Sequence, residues 1–183
     1  METLVITGST ATASTTARLA GAISRSFEQR APGVSVTHLD RRLLRLPGLD
    51  ADAYQHGELA LSPDVRELGD RLAAARAVVL ITPVQHGSYS GALKNLLDHA
   101  ARSALRDRPV LLAATGGTLH LGASACDHLR AVARSLGGWT VPTQVIVERA
   151  ELLTAPLPRL TARIDRAVDE VVLAARMLAP AAA

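Results

Sequence analysis

Runs of consecutive apolar residues alternate along the chain with segments whose apolar positions recur every three to four residues. The apolar runs fall at about 3–7, 34–39, 77–82, 110–115 and 140–147. Ala77-Val78-Val79-Leu80-Ile81 is the clearest: with no polar residue on either face, it suits a strand covered by helices on both sides. The helical segments are read at about 15–30, 64–75, 91–104, 122–136 and 158–178. In the last of these, Leu160, Ile164, Val168, Val171, Ala175 and Leu178 share one face. Strands alternating with helices imply right-handed crossovers and a parallel sheet, so the pattern predicts an α/β fold, doubly wound, with five parallel strands and helices on both faces.

Residues 41–62 interrupt this rhythm. They mix polar and apolar positions around Pro47, Gly48 and Gly57, and are read as a long irregular connection able to reach over a ligand or toward a partner subunit. The 183 residues, 48% hydrophobic, suffice for one substantial core, and no repeat or long linker divides them. We therefore expect a single domain over 1–178 with a disordered tail at 179–183. Met1-Glu2-Thr3 leads directly into the first strand, and no apolar stretch approaches the ~20 residues that span a bilayer. The expectation is a cytoplasmic protein without membrane association.

Charge and cysteine content narrow the chemistry. The formal charge is +3, and Lys94 is the only lysine among arginines scattered between acids; a nucleic-acid reader would carry a denser basic stripe. Arg41, Arg42 and Arg45 form the only tight basic group, readable as a solvated face or as an attractor of phosphates. With Cys126 the single cysteine, neither an internal disulfide nor a Cys-x-x-Cys motif can form, so redox chemistry must come from a cofactor. His120, Cys126, Asp127 and His128 match no compact zinc spacing, and no metal is expected.

Three glycine- or hydroxyl-rich loops follow strands one, three and four. After the first, Ser9, Thr10, Thr12, Ser14, Thr15 and Thr16 put six hydroxyls within eight positions just before a helix. Hydroxyls and free amides at a helix start make an anion site. Lacking both Gly-x-Gly-x-x-Gly and a Walker lysine, the loop suits a terminal monophosphate better than a dinucleotide or nucleoside triphosphate. The plain alternative is a Ser/Thr-rich helix cap without a ligand. After the third strand, Pro83, Val84, Gln85, His86, Gly87 and Ser88 lead to a helix that Ser90 can cap; this small-residue loop suits a flat ligand. After the fourth, Thr115, Gly116 and Gly117 let backbone approach a planar group and aim N–H donors at it, or form an ordinary glycine turn.

The stretch Pro83-x5-Tyr89-Ser90-Gly91-x-Leu93-Lys94-Asn95-Leu96-Leu97-Asp98 resembles the NAD(P)H-dependent FMN reductases of the flavodoxin-like superfamily, and Ala114-Thr115-Gly116-Gly117-Thr118 is similar to a second segment of the same family. The resemblance, which runs to about Val147, implies flavodoxin-like strand order 2-1-3-4-5, which places the ends of strands one, three and four at the topological switch point. It implies bound FMN, with its ring system against residues 83–88 and its phosphate on Ser9, Thr10, Ser14, Thr15 and Thr16, with NADPH or NADH as electron donor. The chain departs from the family at Ala11, where relatives often carry arginine, leaving phosphate charge to amides, hydroxyls and Arg18. It departs again at Gln85, where many relatives have tyrosine.

The activity expected on this resemblance is NAD(P)H:FMN oxidoreduction, with reduced FMN passed to a flavin-dependent monooxygenase or another acceptor. No protein nucleophile or acid–base dyad is needed, and none is evident. One alternative is a reductase that keeps its FMN and acts on a quinone, azo compound or metal oxyanion. Others are a flavodoxin-type electron carrier, against which the positive charge argues, and a scaffold without cofactor. The wide apolar face of the helix from Ser90 to about Ser103 suggests a homodimer or homotetramer.

Overall fold

In the computed structural model, which describes residues 1–152 and 158–179, the strands are β1 (Glu2–Thr7), β2 (Ser35–His38), β3 (Ala77–Pro83), β4 (Pro109–Gly116), β5 (Trp139–Thr140) and β6 (Val145–Glu148). All pair in parallel, in the order β2-β1-β3-β4-β5, with β6 also on β4. The helices are α1 (Thr15–Arg30), α2 (Ala51–Gln55), α3 (Pro63–Ala74), α4 (Gly91–Asp98), α5 (Leu119–Ser135) and α6 (Pro158–Met177). The predicted flavodoxin-like order is thus the observed one. Of the tail expected at 179–183, residues 180–183 lie outside the described residues.

Strand alternation divides the core into two layers. Leu4, Ile6, Val78, Leu80, Val110 and Leu112 face α3, α4 and α5, where they meet Leu68, Leu72, Leu93, Leu96, Leu97 and Leu129. Their neighbours Val5, Val79, Ile81, Leu111 and Ala113 face α1 and α6, against Leu19, Ile23, Phe27, Ile164, Val168 and Val171. Because successive side chains point to opposite faces, a strand packed on both sides must be apolar at every position.

The fifth strand departs from expectation. Instead of one run over 140–147, it splits: Val110 pairs with Thr140 but Ala113 pairs with Val145, so residues 141–144 span a stretch that two residues of β4 cover. Pro142 has no amide to donate to the ladder. The bulge is held from α6, where Glu170 accepts from the Thr143 amide at 2.8 Å and from its hydroxyl at 2.7 Å.

Helix α4 is also shorter than the predicted 91–104. The His99 ring donates through Nδ1 to the Asn95 carbonyl at 2.8 Å, taking the acceptor a further α-helical turn would use. The amides of His99 and Ala100 instead close tighter turns onto Leu96 and Leu97. The apolar face of α4 is committed to the chain's own core: Leu93, Leu96, Leu97 and Ala100 are all buried there. That face is covered within the chain itself.

The connection at 41–62 is more ordered than its composition suggests. It holds two 3-10 turns, Arg41–Arg45 and Glu58–Leu61, flanking α2. Leu43, Leu44 and Leu46 are buried, and Asn95 of α4 pins the following chain. Its amide donates to the Leu46 and Pro47 carbonyls at 2.9 and 3.0 Å, and its oxygen accepts from the Leu49 amide at 3.2 Å.

Candidate functional site

The C-terminal ends of β1, β3 and β4 lie side by side, and each opens into one of the three loops singled out in the sequence. The first begins at Gly8, whose amide donates to the Ile81 carbonyl at 2.6 Å. A Cβ on Gly8 would lie 2.8 Å from both Leu93 Cβ and Ser90 Oγ, so only glycine lets β1 approach the start of α4 this closely. Ser14 caps α1 by accepting from the Ala17 amide at 3.0 Å.

The loop's hydroxyls divide by role. Thr16 is buried, with its Oγ1 3.1 Å from Thr115 Oγ1, and Thr15 Oγ1 is 3.5 Å from that same hydroxyl. Ser9 accepts from the Ala11 amide at 3.4 Å. Thr10 and Thr12 are exposed. The backbone amides of Thr10, Thr12, Thr15 and Thr16 find no protein acceptor among the described residues. A row of free N–H groups at the start of a 16-residue helix is a cradle for an anion, with the helix dipole adding to it. This fits a phosphate group.

The second loop is a two-residue hairpin. Gln85 and Ser88 exchange backbone hydrogen bonds at 2.9 and 3.0 Å, and both central residues have positive φ, 48° at His86 and 77° at Gly87. A type I′ turn requires this conformation, which glycine adopts freely and histidine at some cost. Gln85 and His86 are thereby exposed at the tip, while Pro83, Val84, Gly87 and Ser88 are half-buried. Ser88 is held from α5 by His128, whose Nδ1 lies 3.0 Å from its hydroxyl.

The third loop touches the second directly. The Val84 amide donates to the Thr115 carbonyl at 2.8 Å, and a Cβ on Gly116 would lie 2.8 Å from Val84 Cγ2. Gly117 is exposed, and a Cβ there would meet nothing within 4 Å. Glycine at 116 is thus required for packing, whereas at 117 no neighbouring atom requires it. Thr118 caps α5 by accepting from Leu121 at 3.3 Å, and Glu148 at the end of β6 accepts from the Leu119 amide at 3.2 Å. Glu148 was not anticipated, because nothing in its sequence neighbourhood signals that β6 ends beside α5.

All fourteen sequence-predicted residues therefore sit on three adjacent strand ends. Arg18, expected to help with phosphate charge, instead donates to the Leu152 carbonyl at 3.3 Å. Arg42 is ringed by Asp40, Asp64 and Glu67, whereas Arg41 reaches the first loop, its Nη1 2.6 Å from the Ala11 carbonyl. Cys126 is buried, and burial pushes its thiol up to about 12. Asp127 accepts from Gln144 at 2.8 Å. Among the described residues no group of three or more His, Cys, Asp or Glu could hold a metal ion. The site offers amides, hydroxyls and open glycine backbone, which suit a flat phosphorylated cofactor.

Known proteins of this kind match the chain. The family described as NADPH-dependent FMN reductase matches residues 1–151. An FMN-dependent NADPH-azoreductase of Staphylococcus haemolyticus is 34% identical over 145 residues, covering 79% of this chain and 76% of the relative. The same enzyme of Staphylococcus aureus is 32% identical over equal shares. Among solved structures, the apo form of the NADH:FMN oxidoreductase EMOB superposes with a TM-score of 0.77 at 27% identity, over 94% of this chain and 88% of that one. The flavoenzyme FerB of Paracoccus denitrificans gives 0.75 at 22% identity, over 94% and 97%, a likeness of fold.

Proposed function

The chain belongs to the NADPH-dependent FMN reductase family, and from that membership we propose that the three loops form its flavin site and that reduced FMN is handed on to a separate acceptor, a flavin-dependent monooxygenase being the kind of partner that would use it. Bound FMN supplies the redox chemistry, taking two electrons from NAD(P)H and yielding them to an acceptor. The observation that carries the reading is the row of amides at Thr10, Thr12, Thr15 and Thr16 without protein acceptors among the described residues, one strand away from the hairpin at 83–88.

The chain's own part is binding and orientation. The segment with Ser9, Thr10, Ser14, Thr15 and Thr16 holds the phosphate, chiefly through its free amides, the hydroxyls of Ser14 and Thr16 being engaged by the Ala17 amide and by Thr115. Pro83, Val84, Gln85, His86, Gly87 and Ser88 support the ring system, and Thr115, Gly116 and Gly117 bring backbone close to it. Fixed N–H donors in these loops stabilise negative charge that develops on reduction, without having to reorganise. The exposed Gln85 and Gly117 backbone leaves an open face for nicotinamide.

A second reading keeps FMN bound and passes electrons directly to an azo compound or quinone; the staphylococcal azoreductases support it. A homodimer or homotetramer is part of the same proposal, supported by exposed Leu119 and Leu121 beside the third loop. A cytoplasmic location is a further part of the proposal. No described helix is long and apolar enough to cross a membrane.

The test is oxidation of NADPH, and separately NADH, by flavin-stripped protein as FMN is varied from none to saturation, with and without an azo dye. Saturable dependence on free FMN, unaffected by the dye, supports transfer of reduced flavin. Dye reduction by protein retaining one FMN per chain after gel filtration supports the second reading, and no oxidation in any arm overturns both.

A further inference from the structure

A phosphate monoester carries between one and two negative charges near neutral pH. The loop that would hold it, residues 8–16, contains neither lysine nor arginine. Free amides and the α1 dipole supply only partial charges, so a full cation within reach would decide how strongly the site prefers a phosphorylated flavin.

The obvious cations are committed elsewhere. Lys94 is held by Asp98, with both carboxylate oxygens at 2.6 Å. Arg18 turns to the Leu152 carbonyl, and Arg42 is enclosed by three carboxylates. Arg41 differs. It follows β2, on the far side of β1 from the hairpin, and its Nη1 donates to the Ala11 carbonyl at the outer turn of the loop. Among the described residues it has no carboxylate partner and no other hydrogen bond, so four of its five N–H donors are available. It also borders a cavity of about 340 Å³ at the ends of β1 and β2, shared with Thr7, Ala17, Ala20, His38, Leu39 and Asp40, and the Asp40 carboxylate there is engaged by Arg42.

Resting on the FMN reading, we infer that Arg41 supplies the positive charge that the first loop lacks and sets the preference of this site for FMN over riboflavin. Its bond to Ala11 ties the first loop to the residues that follow β2 and keeps the guanidinium at the outer turn of that loop, on the carbonyl side of the Ala11 peptide. An arginine fork gives bidentate recognition of a phosphate that a point charge does not reproduce.

The experiment compares dissociation constants for FMN and riboflavin, read by quenching of flavin fluorescence, in the wild type, Arg41→Gln, Arg41→Lys and Arg18→Gln. Wild type should bind FMN more tightly than riboflavin. Arg41→Gln should weaken FMN at least tenfold, about 1.4 kcal/mol, and leave riboflavin within twofold. Arg41→Lys should fall between, and Arg18→Gln should match wild type. An unchanged FMN-to-riboflavin ratio in both Arg41 variants overturns the assignment, as does equal weakening of the two flavins. A change confined to the ratio of KM for NADPH and NADH also overturns it, moving Arg41 to the nicotinamide nucleotide. Wild-type protein that binds neither flavin fails the FMN reading itself, a result distinct from these.

Discussion

The Ser90 hydroxyl donates to the Gly8 carbonyl at 2.6 Å, joining the end of β1 to the first turn of α4 across 82 residues of sequence. The same oxygen accepts from the Leu93 amide at 3.2 Å, which makes Ser90 the N-cap of α4. The Ser90 amide donates to Thr82 Oγ1 at 2.9 Å. One buried serine thus locks the start of the first loop, the end of β3 and the start of α4 into a fixed arrangement.

Ser90→Ala removes the cap and leaves the buried Gly8 carbonyl without this donor, at a cost of about 2–4 kcal/mol. Denaturant unfolding should show this loss with an unchanged m-value. FMN affinity should fall as well, because the first two loops are no longer held together.

The hairpin tip gives a conformational prediction. His86 has φ of 48°, so His86→Asn should preserve stability, asparagine being favoured at this turn position. His86→Ile places a β-branched side chain in the left-handed region and should cost about 1–2 kcal/mol. Thermal unfolding of the two variants distinguishes this strain from any effect of losing the imidazole, which both remove.

Cys126 lies on the buried face of α5, in the core, with its thiol pushed up to about 12 mainly by burial. Folded protein should therefore react negligibly with a thiol reagent at pH 8, and one thiol per chain should titrate once guanidinium is added. Fast labelling of native protein would show that α5 opens locally.

A pH prediction concerns the pairing of α1 with α6. Arg30 binds Asp169, with Nε 2.9 Å from Oδ1, and lies 3.6 Å from Asp165. The hydrogen bond from Arg30 holds the Asp169 carboxyl below its ordinary value. A depressed carboxylate contributes stability above its unfolded pKa of about 3.9 and loses it as pH falls through the folded value. Arg30→Met should be less stable than wild type at pH 7, with the difference shrinking below about pH 4 and in high salt. A difference independent of pH would mean that Arg30 acts through packing alone.

How far the sequence was legible depended on the range of the interactions involved. Helix α1 appears over the predicted residues because its cap, Ser14, and its apolar face are both local. The parallel sheet and its two-sided core were readable because β3 and β4 are apolar at every position. The split of β5 and β6 was not: Pro142 hints at an interruption, but Glu170, which stabilises the bulge, lies 27 residues away. Nor was the end of α4, set by a His99 ring that could equally have faced solvent.

Taken alone, the residue pattern determined the fold class, the strand order through the family resemblance, and the fourteen positions that gather at three strand ends. Periodicity and loop composition are written along the chain itself, where backbone sterics and burial act on neighbouring residues. Tertiary structure decided which of the similar groups do what. It turned Arg18 away from the first loop and Arg41 toward it, directed Thr16 inward to Thr115, and closed the apolar face of α4 against its own sheet. Those outcomes depend on crossovers that bring distant segments together, and a side chain's partner is not defined until the crossovers are made.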